Sequence, residues 1–331
     1  MEYANFYERI HNVRNIKLIA QKVCEYYKLG ELIEQKHIEI GYEDFNMIIN
    51  TSKGKYFIKI LNKSRPQSEQ NRLVNIIEKA VDGNVRAPKI HKVNGQSIFE
   101  LKIDNNKLNI IVMDYIDGTN MLFLNRDFTQ NEIRDVTQEM AKINKIDFQV
   151  EPYYDEWTIT NFKFEYNKKI DKLDSKDKEL VTKVYEQMKD IDFTKFKMSY
   201  IHADIIKSNL ILDTNNKIWL IDFSVLNYLP RIIELAVAMF GICLTDDRVA
   251  TINNINTLIN EYNKHNKLED YEIRNLPMAF NCISAMNILQ TSFIKNTDET
   301  FEENEHWLLE GRKGIKLELS IDDIKLSSIN D

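Results

Sequence analysis

The sequence predicts an α+β fold, with an N-terminal antiparallel sheet that carries one inserted helix and a mostly helical region after it. Strand-like runs separated by turn residues occupy residues 38–115, whereas apolar side chains recur at helical spacing from residue 129 onwards. The change falls at Asp117-Gly118, with no repeat or low-complexity linker between the parts. We therefore predict two domains, residues 1–116 and 117–331, joined by a tight hinge near 114–118.

The first part begins with a helix and continues as consecutive strands. Residues 15–27 place one apolar stripe at helical spacing, formed by Ile16, Ile19, Ala20, Val23 and Tyr27. From Ile38 the stretch IEIGYEDFNMIINTSKGKYFIKIL is β-rich and is interrupted by Gly41 and by a turn at 52–54. Helical spacing returns over 67–80, and short strand-like runs follow at 89–93, 97–103 and 108–115.

The second part is helical apart from one hairpin. Thr129 and Glu132 form a capping box, which satisfies free amides in the first turn of a helix. In the stretch SYIHADIIKSNLILDTNNKIWLIDF, two apolar runs flank the turn residues 214–216. We expect an antiparallel hairpin there, embedded among helices.

The composition is that of a folded protein and excludes several function classes. Hydrophobic residues make up 43% and charged residues 29% of the 331 residues, and the formal net charge is −7. An acidic chain is a poor partner for nucleic acid. No run of apolar residues is long enough to span a membrane and no signal peptide opens the chain, so we expect a cytoplasmic protein without a membrane partner. The three cysteines are widely spaced, which favours buried free thiols.

The chemically informative stretch is the run from His202 to Asn209, which is followed by Asp222 and Phe223. Phosphoryl transfer needs a carboxylate that orients the attacking hydroxyl and accepts its proton, and oxygen ligands for Mg²⁺. Asp204, Asn209 and Asp222 supply this set. Because strand pairing folds the intervening residues back on themselves, we expect the three side chains to lie together. The alternative for Asp204 is a carboxylate that only caps nearby amides.

The pattern H-x-D-x(4)-N followed by Asp-Phe resembles the catalytic and metal loops of aminoglycoside phosphotransferases, choline kinases, homoserine kinases and hydroxylysine kinases. The resemblance covers roughly residues 36–245. It implies the two-lobed protein-kinase-like fold, ATP as phosphate donor with GTP as an alternative, and a small hydroxyl-bearing acceptor. It also implies that Asp204 is the catalytic base, that Asn209 and Asp222 bind Mg²⁺, and that His202 supports the loop.

Lys59 lies within the apolar run Tyr56–Ile60, where a buried ammonium needs a carboxylate or phosphates nearby. The resemblance implies that this lysine contacts the α- and β-phosphates and pairs with a glutamate of the next helix. Glu69 is the first choice for that glutamate and Glu78 the second. A solvated lysine at a strand end is the alternative.

Two further segments are assigned to the nucleotide. The loop at Gly41 lies between two strands and resembles the glycine-poor nucleotide loop of hydroxylysine and homoserine kinases, although an ordinary turn would have the same residues. The resemblance also implies a hinge in which Met113 lines the nucleobase pocket and backbone groups of about Asp114 to Ile116 bind the base. A buried strand and turn is the alternative explanation.

Three departures from protein kinases are visible. Ala203 stands where protein kinases have arginine, and Ser224 where they have glycine. Only residues 223–229 separate Asp222 from Pro230, which is too short for an activation loop. A protein Ser/Thr kinase and a catalytically inactive nucleotide-binding module remain as alternative functions.

The acceptor is predicted to be cationic, such as an amino alcohol or an aminoglycoside. The resemblance implies that C-terminal helices form the acceptor pocket, and residues 298–305 contain five carboxylates with Trp307 close behind. A cation would relieve their repulsion and could stack on Trp307. A solvated helix start is the alternative explanation.

Overall fold

The computed structural model describes residues 6–38, 43–297 and 304–326. The chain forms two compact units, Met1–Gly118 and Thr119–Asp331. The first is a sheet with two long helices, and the second is mostly helical. The α+β class expected from the sequence, with a sheet in the first part and mostly helices in the second, is therefore the observed fold class.

The first unit is built on a six-stranded antiparallel sheet with the order β1-β2-β3-β6-β4, in which β5 also pairs with β6. Its helices are α1 (Ile16–Tyr27) and α2 (Gln67–Asp82). The strands are β1 (Leu32–Ile38), β2 (Phe45–Thr51), β3 (Gly54–Ile60), β4 (Ile90–His91), β5 (Phe99–Ile103) and β6 (Asn106–Asp114).

Side-chain alternation gives the sheet two different faces. One face joins the apolar stripe of α1 in a single core, to which β2 contributes Phe45, Met47 and Ile49 and β3 contributes Ile58 and Ile60. Neighbouring residues along each strand point to the opposite face, because side chains in a strand alternate. The residues that alternate with these core residues along β2 and β3 therefore lie on the face of the sheet opposite α1.

Strand β1 was missed by the sequence analysis, which placed the first strand from Ile38 onwards. The strand occupies Leu32–Ile38 and lies at the edge of the sheet. Its side chains are half-buried or exposed and include Glu34 and Lys36, so it lacks clear apolar alternation. Charged residues are common on edge strands, where they discourage pairing with other chains.

The second unit contains seven helices among the described residues and two small sheets. The helices are α3 (Gln130–Ile143), α4 (Phe162–Lys169), α5 (Ser175–Met188), α6 (Ile232–Ala238), α7 (Arg248–His265), α8 (Asp270–Thr297) and α9 (Glu305–Lys316). The strands are β7 (Gly118–Asn120), β8 (Met198–Ile201), β9 (Leu210–Asp213), β10 (Ile218–Leu220) and β11 (Asn227–Pro230). None of the helices in the described part is long and apolar enough to cross a membrane.

The predicted hairpin is present but shorter than expected. Strands β9 and β10 pair antiparallel around the turn at 214–216, and β7 joins the other side of β9. The preceding run, β8, pairs instead with β11 in a separate two-stranded sheet. The catalytic loop candidate, residues 202–209, thus connects two sheets.

Helix α9 packs closely on α8 because two of its residues are glycines. A Cβ atom at Gly314 would lie 2.2 Å from Ser284 Oγ, and one at Gly311 would lie 2.8 Å from the Ser284 carbonyl oxygen. The Arg312 guanidinium adds two hydrogen bonds of 2.8 Å to the buried Asp177 carboxylate of α5. The glycines and this ion pair fix α9 against the two helices.

Candidate active site

Lys59 lies on the face of the first unit's sheet that the α1 core does not use. It pairs across the strands with Asn46 on β2 and Ile111 on β6, and directly paired residues share a face. Met113 lies two residues beyond Ile111 and therefore on this same face. The structure thus places two of the predicted nucleotide-binding residues on one surface.

The Lys59 side chain is nearly buried. One of its partners is Asp44, a residue that the sequence did not indicate. Nζ lies 3.4 Å from Oδ2 of Asp44, whose carboxylate is fully buried. Asp44 also lies 3.2 Å from Nη2 of Arg65. The carboxylate that a buried lysine at this position requires is thus present, but it belongs to the acidic residue just before β2, which the sequence pattern did not indicate.

The two predicted glutamates lie on α2. Glu69 is in the first turn of that helix, and its pairing with Lys59 stays a prediction. Glu78 lies 2.9 Å from the ammonium of Lys92 and accepts a hydrogen bond from Ser97. Gly41, the predicted phosphate-loop residue, lies outside the described residues.

The predicted hinge residues lie at the end of β6, with Met113 and Asp114 as its last two residues and Ile116 beyond it. Met113 is buried. The Asp114 amide donates to the carbonyl oxygen of Lys89 at 2.9 Å, and its carboxylate lies 2.7 Å from Nε2 of His91. The Asp114 amide is thus used within the protein, so the predicted contacts of Asp114 and Ile116 with a base would have to use other backbone groups.

In the second unit, Asp204 and Asn209 lie on the loop between β8 and β9. The Asn209 amide Nδ2 donates to Asp204 Oδ2 at 2.6 Å and to the Asp204 carbonyl oxygen at 3.1 Å. These bonds fix the Asp204 carboxylate and use the donor atoms of Asn209.

Asp222 lies just beyond β10, close to this pair. Burial and then the negative charge of Asp222 raise the pKa of Asp204 to about 7. The backbone of Asn209 is joined to the same segment, because its carbonyl oxygen accepts from the Ile221 amide at 3.0 Å. The structure therefore brings together Asp204, Asn209 and Asp222, as the spacing predicted.

The backbone at two positions of this site, Ala203 and Asp222, has an unusual conformation. Asp222 has φ 60° and Ala203 has φ 66°, both in the left-handed region that few residues other than glycine adopt. Such outliers are common at functional sites, where the surrounding structure holds them. Ser224 is not among the residues with positive φ, so a serine fits there without the strain that replacing a glycine can bring.

Two buried side chains, His202 and Glu234, hold the 202–209 loop in place. His202 Nε2 lies 3.2 Å from the Ile221 carbonyl oxygen, and burial lowers the pKa of His202 to about 4, which keeps the ring neutral. The Glu234 carboxylate accepts from the backbone amides of His202 at 3.0 Å and Ala203 at 2.8 Å. The role of His202 as a loop support agrees with the prediction, whereas Glu234 was missed. An acidic residue inside the apolar helix PRIIELAVAMFGICL was the available signal.

Gly241 allows the helix after Glu234 to touch the 202–209 loop. It lies in a π-helical turn, Met239–Cys243, that continues α6. A Cβ atom at Gly241 would lie 2.4 Å from the carbonyl oxygen of Ile205. The loop that carries Asp204 therefore packs directly on this turn.

A cavity of about 240 Å³ lies beside the 202–209 loop within the second unit. Lys207 of the loop, Gly241, and the aromatic pair Phe240 and Trp307 line it. The centroids of the two rings are 6.4 Å apart and their planes are inclined at 30°. The cavity also includes Lys313, which lies 2.8 Å from Glu310 and 3.0 Å from Asp246. Of the acidic segment 298–305, residues 298–303 lie outside the described residues.

Mg²⁺ would fit the donor set of this site. The oxygens of Asn209 and Asp222 are of the kind that Mg²⁺ prefers, and this ion usually takes one or two carboxylates together with substrate phosphates. Within the described ranges, no group of three or more His, Cys, Asp or Glu side chains could hold a metal ion. A metal at Asn209 and Asp222 would thus need oxygens from a nucleotide to complete its coordination.

A family model matches most of the chain. The model of a family described as phosphotransferase enzyme family, APH, matches residues 34–264. No curated protein matches the chain.

Solved structures share the fold at low identity. An amicoumacin kinase in complex with AMP-PNP, Ca²⁺ and Ami is 12% identical, with a TM-score of 0.65 over 95% of this chain and 96% of that one. A microcompartment-associated aminopropanol kinase is 12% identical and has a TM-score of 0.67. The match covers 91% of this chain and 96% of that one. The choline kinase LicA from Streptococcus pneumoniae is 13% identical and has a TM-score of 0.55. The match covers 91% of this chain and 98% of that one.

Proposed function

Because the chain belongs to the phosphotransferase enzyme family, we propose that it transfers the γ-phosphoryl group of ATP to a hydroxyl group of a small molecule, with Mg²⁺ as the metal. The observation that carries this proposal is the grouping of Asp204, Asn209 and Asp222 on adjoining segments of one unit. These residues supply a base and oxygen ligands, which phosphoryl transfer requires.

In this mechanism Asp204 is the catalytic base. Asn209 fixes Oδ2, so Oδ1 is the oxygen that faces the acceptor hydroxyl. The hydroxyl oxygen forms a bond to the γ-phosphorus while the bond to the β-phosphate oxygen breaks, and Asp204 takes the hydroxyl proton. ADP and a phosphate monoester are the products.

The nucleotide residues have complementary roles. Lys59 and the loop at Gly41 would contact the phosphates, with Glu69 as the predicted acidic partner of Lys59. Met113, Asp114 and Ile116 would bind the nucleobase. Bound at Asn209 and Asp222, Mg²⁺ would neutralise charge on the β- and γ-phosphates.

The acceptor is proposed to be an amine-bearing alcohol that occupies the cavity beside the catalytic loop. Three carboxylates and two lysines are among its described lining residues. An ammonium group could contact Glu310 and stack on Trp307, a contact of about 0.5–2 kcal/mol. The cavity supports this proposal because Lys207, three residues after Asp204, lines it.

The test is ADP release with pairs of acceptors that differ only in the amine. An amino alcohol such as 1-amino-2-propanol is compared with the neutral diol of the same skeleton, and aminoglycosides with neutral sugars. We expect turnover only with the amines, and a several-fold higher KM in Trp307→Leu. Faster turnover of the neutral partners would contradict the acceptor class. Absence of turnover with every acceptor would favour the inactive nucleotide-binding module.

A further inference from the structure

Asp44 connects three segments of the first unit through one buried carboxylate. Its Oδ2 lies 3.4 Å from Lys59 Nζ at the end of β3 and 3.2 Å from Arg65 Nη2 in the segment before α2. Its Oδ1 accepts from the backbone amide of Asn62 at 2.9 Å. Two cations thus share one carboxylate oxygen, and a backbone amide holds the other.

The burial of this group makes its contacts strong. The Asp44 side chain is 0% exposed, and those of Lys59 and Arg65 are 10% and 11% exposed. Charges in such surroundings are poorly screened by water and salt, so removing one of them leaves the others without compensation. The backbone of Asp44 is held as well, because its carbonyl oxygen accepts from Arg9 Nη1 at 3.0 Å.

Arg65 links this carboxylate to helix α2. Its Nη2 donates to Glu43 at 2.7 Å in addition to Asp44. Burial lowers the pKa of Arg65, but the carboxylates of Asp44, Glu43 and Glu69 together raise it above its ordinary value. Glu69, the residue predicted to pair with Lys59, therefore interacts with Arg65.

We propose that Asp44 is the residue that positions Lys59 for the nucleotide phosphates and that Arg65 in turn positions Asp44. This inference rests on the proposed role of Lys59 in ATP binding. Both residues act through Lys59 and are positioning residues. A carboxylate from the loop before β2 would then do what the sequence analysis assigned to a helix glutamate.

The test is a double-mutant cycle on nucleotide affinity in the full chain. Asp44→Asn, Lys59→Met and the double variant are titrated calorimetrically with ATP and Mg²⁺, and with adenosine, which lacks phosphates. We expect each single change to weaken ATP binding about tenfold, and the double change to weaken it no further, because both remove one interaction. Adenosine affinity should stay unchanged in all three.

Matched variants separate this result from a general loss of structure. Glu100→Gln removes an exposed ion pair with Lys107 between β5 and β6, in which Asp44, Lys59 and Arg65 take no part, and should keep the ATP affinity of the parent. If Asp44→Asn does not fold, Arg65→Met replaces it in the same cycle and should also show a loss that is not additive with Lys59→Met.

Three outcomes would overturn the inference. Losses that add in the double variant would mean that Asp44 has only a structural role. A non-additive cycle between Glu69→Gln and Lys59→Met, with ATP affinity intact in Asp44→Asn, would return the role to Glu69 and leave the proposed function standing. If Lys59→Met binds ATP as the parent does, the proposed role of Lys59 fails as well.

Discussion

Asp204 is the residue on which the proposed chemistry depends. Asp204→Asn keeps the shape of the side chain and its hydrogen bonding but removes the proton acceptor. We expect kcat to fall about 10²–10⁴-fold, with ATP affinity within about twofold of the parent. Steady-state kinetics and calorimetry measure the two quantities. If kcat stays near that of the parent, Asp204 is only a cap for nearby amides.

His202 makes the stability of the fold depend on pH. Burial lowers the pKa of His202 to about 4 in the folded protein, whereas an unfolded chain keeps the ordinary value of 6.5. Below pH 6.5 the unfolded chain therefore binds a proton that the folded one rejects, and stability falls as the pH drops from 6.5 towards 4. The expected contribution is roughly 3 kcal/mol over that window.

The measurement is the free energy of unfolding against pH for the parent and for His202→Gln. Glutamine can still donate to the Ile221 carbonyl oxygen but does not titrate. The parent should lose more stability than the variant between pH 6.5 and 4. Parallel curves for the two proteins would show that His202 does not remain neutral in the folded state.

At the scale of elements, α6 holds the catalytic loop through Glu234. In Glu234→Gln one carboxylate oxygen becomes an NH₂ group, which cannot accept from the amide it now faces. An unsatisfied buried donor costs about 1–3 kcal/mol, and the loop should shift to relieve it. We expect a lower melting temperature and a kcat reduced at least about tenfold, because small displacements of a reacting group are costly.

Glu261→Gln is the matched control for this change. It alters a buried carboxylate on α7 whose partners are Gln138, Lys264 and His265. It should lower the melting temperature without a comparable loss of kcat. Equal losses of kcat in the two variants would mean that Glu234 contributes only to general stability.

The elements that the sequence predicted well are those with a strong local signal. The stripe of α1, the capping box at Thr129 and Glu132, and the turn at 214–216 each determine their segment through nearby residues. The spacing of Asp204, Asn209 and Asp222 likewise predicted the grouping that the structure shows. Local pattern and tertiary structure agree at these positions.

The features that escaped prediction depend on contacts between distant parts of the chain. Strand β1 is defined by its pairing with β2 and not by apolar alternation. Asp44 meets Lys59 across the sheet, and Glu234 reaches amides 31 and 32 residues away. An acidic residue in an apolar stretch shows that a partner is needed, but only the fold identifies the partner.

At the scale of the whole molecule, the proposal assigns the nucleotide phosphates to Lys59 and the metal to Asn209 and Asp222. In Asp222→Ala, the Mg²⁺-dependent part of the stabilisation by ATP should be lost. In Lys59→Ala, ATP should bind more weakly but should still require Mg²⁺. Thermal unfolding with ATP, with and without Mg²⁺, measures both effects. Equal stabilisation of the parent in the two conditions would contradict the assignment of Asn209 and Asp222 to a metal.

The central claim is that this chain forms a phosphate monoester from ATP and a small amine-bearing alcohol. The direct measurement is ³¹P NMR of the parent and of Asp204→Asn with ATP, Mg²⁺ and 1-amino-2-propanol or an aminoglycoside. The account predicts that a phosphomonoester signal grows as the γ-phosphate signal of ATP declines, and that Asp204→Asn shows neither change on the same timescale. Loss of γ-phosphate to inorganic phosphate alone, or equal product from Asp204→Asn, would contradict it.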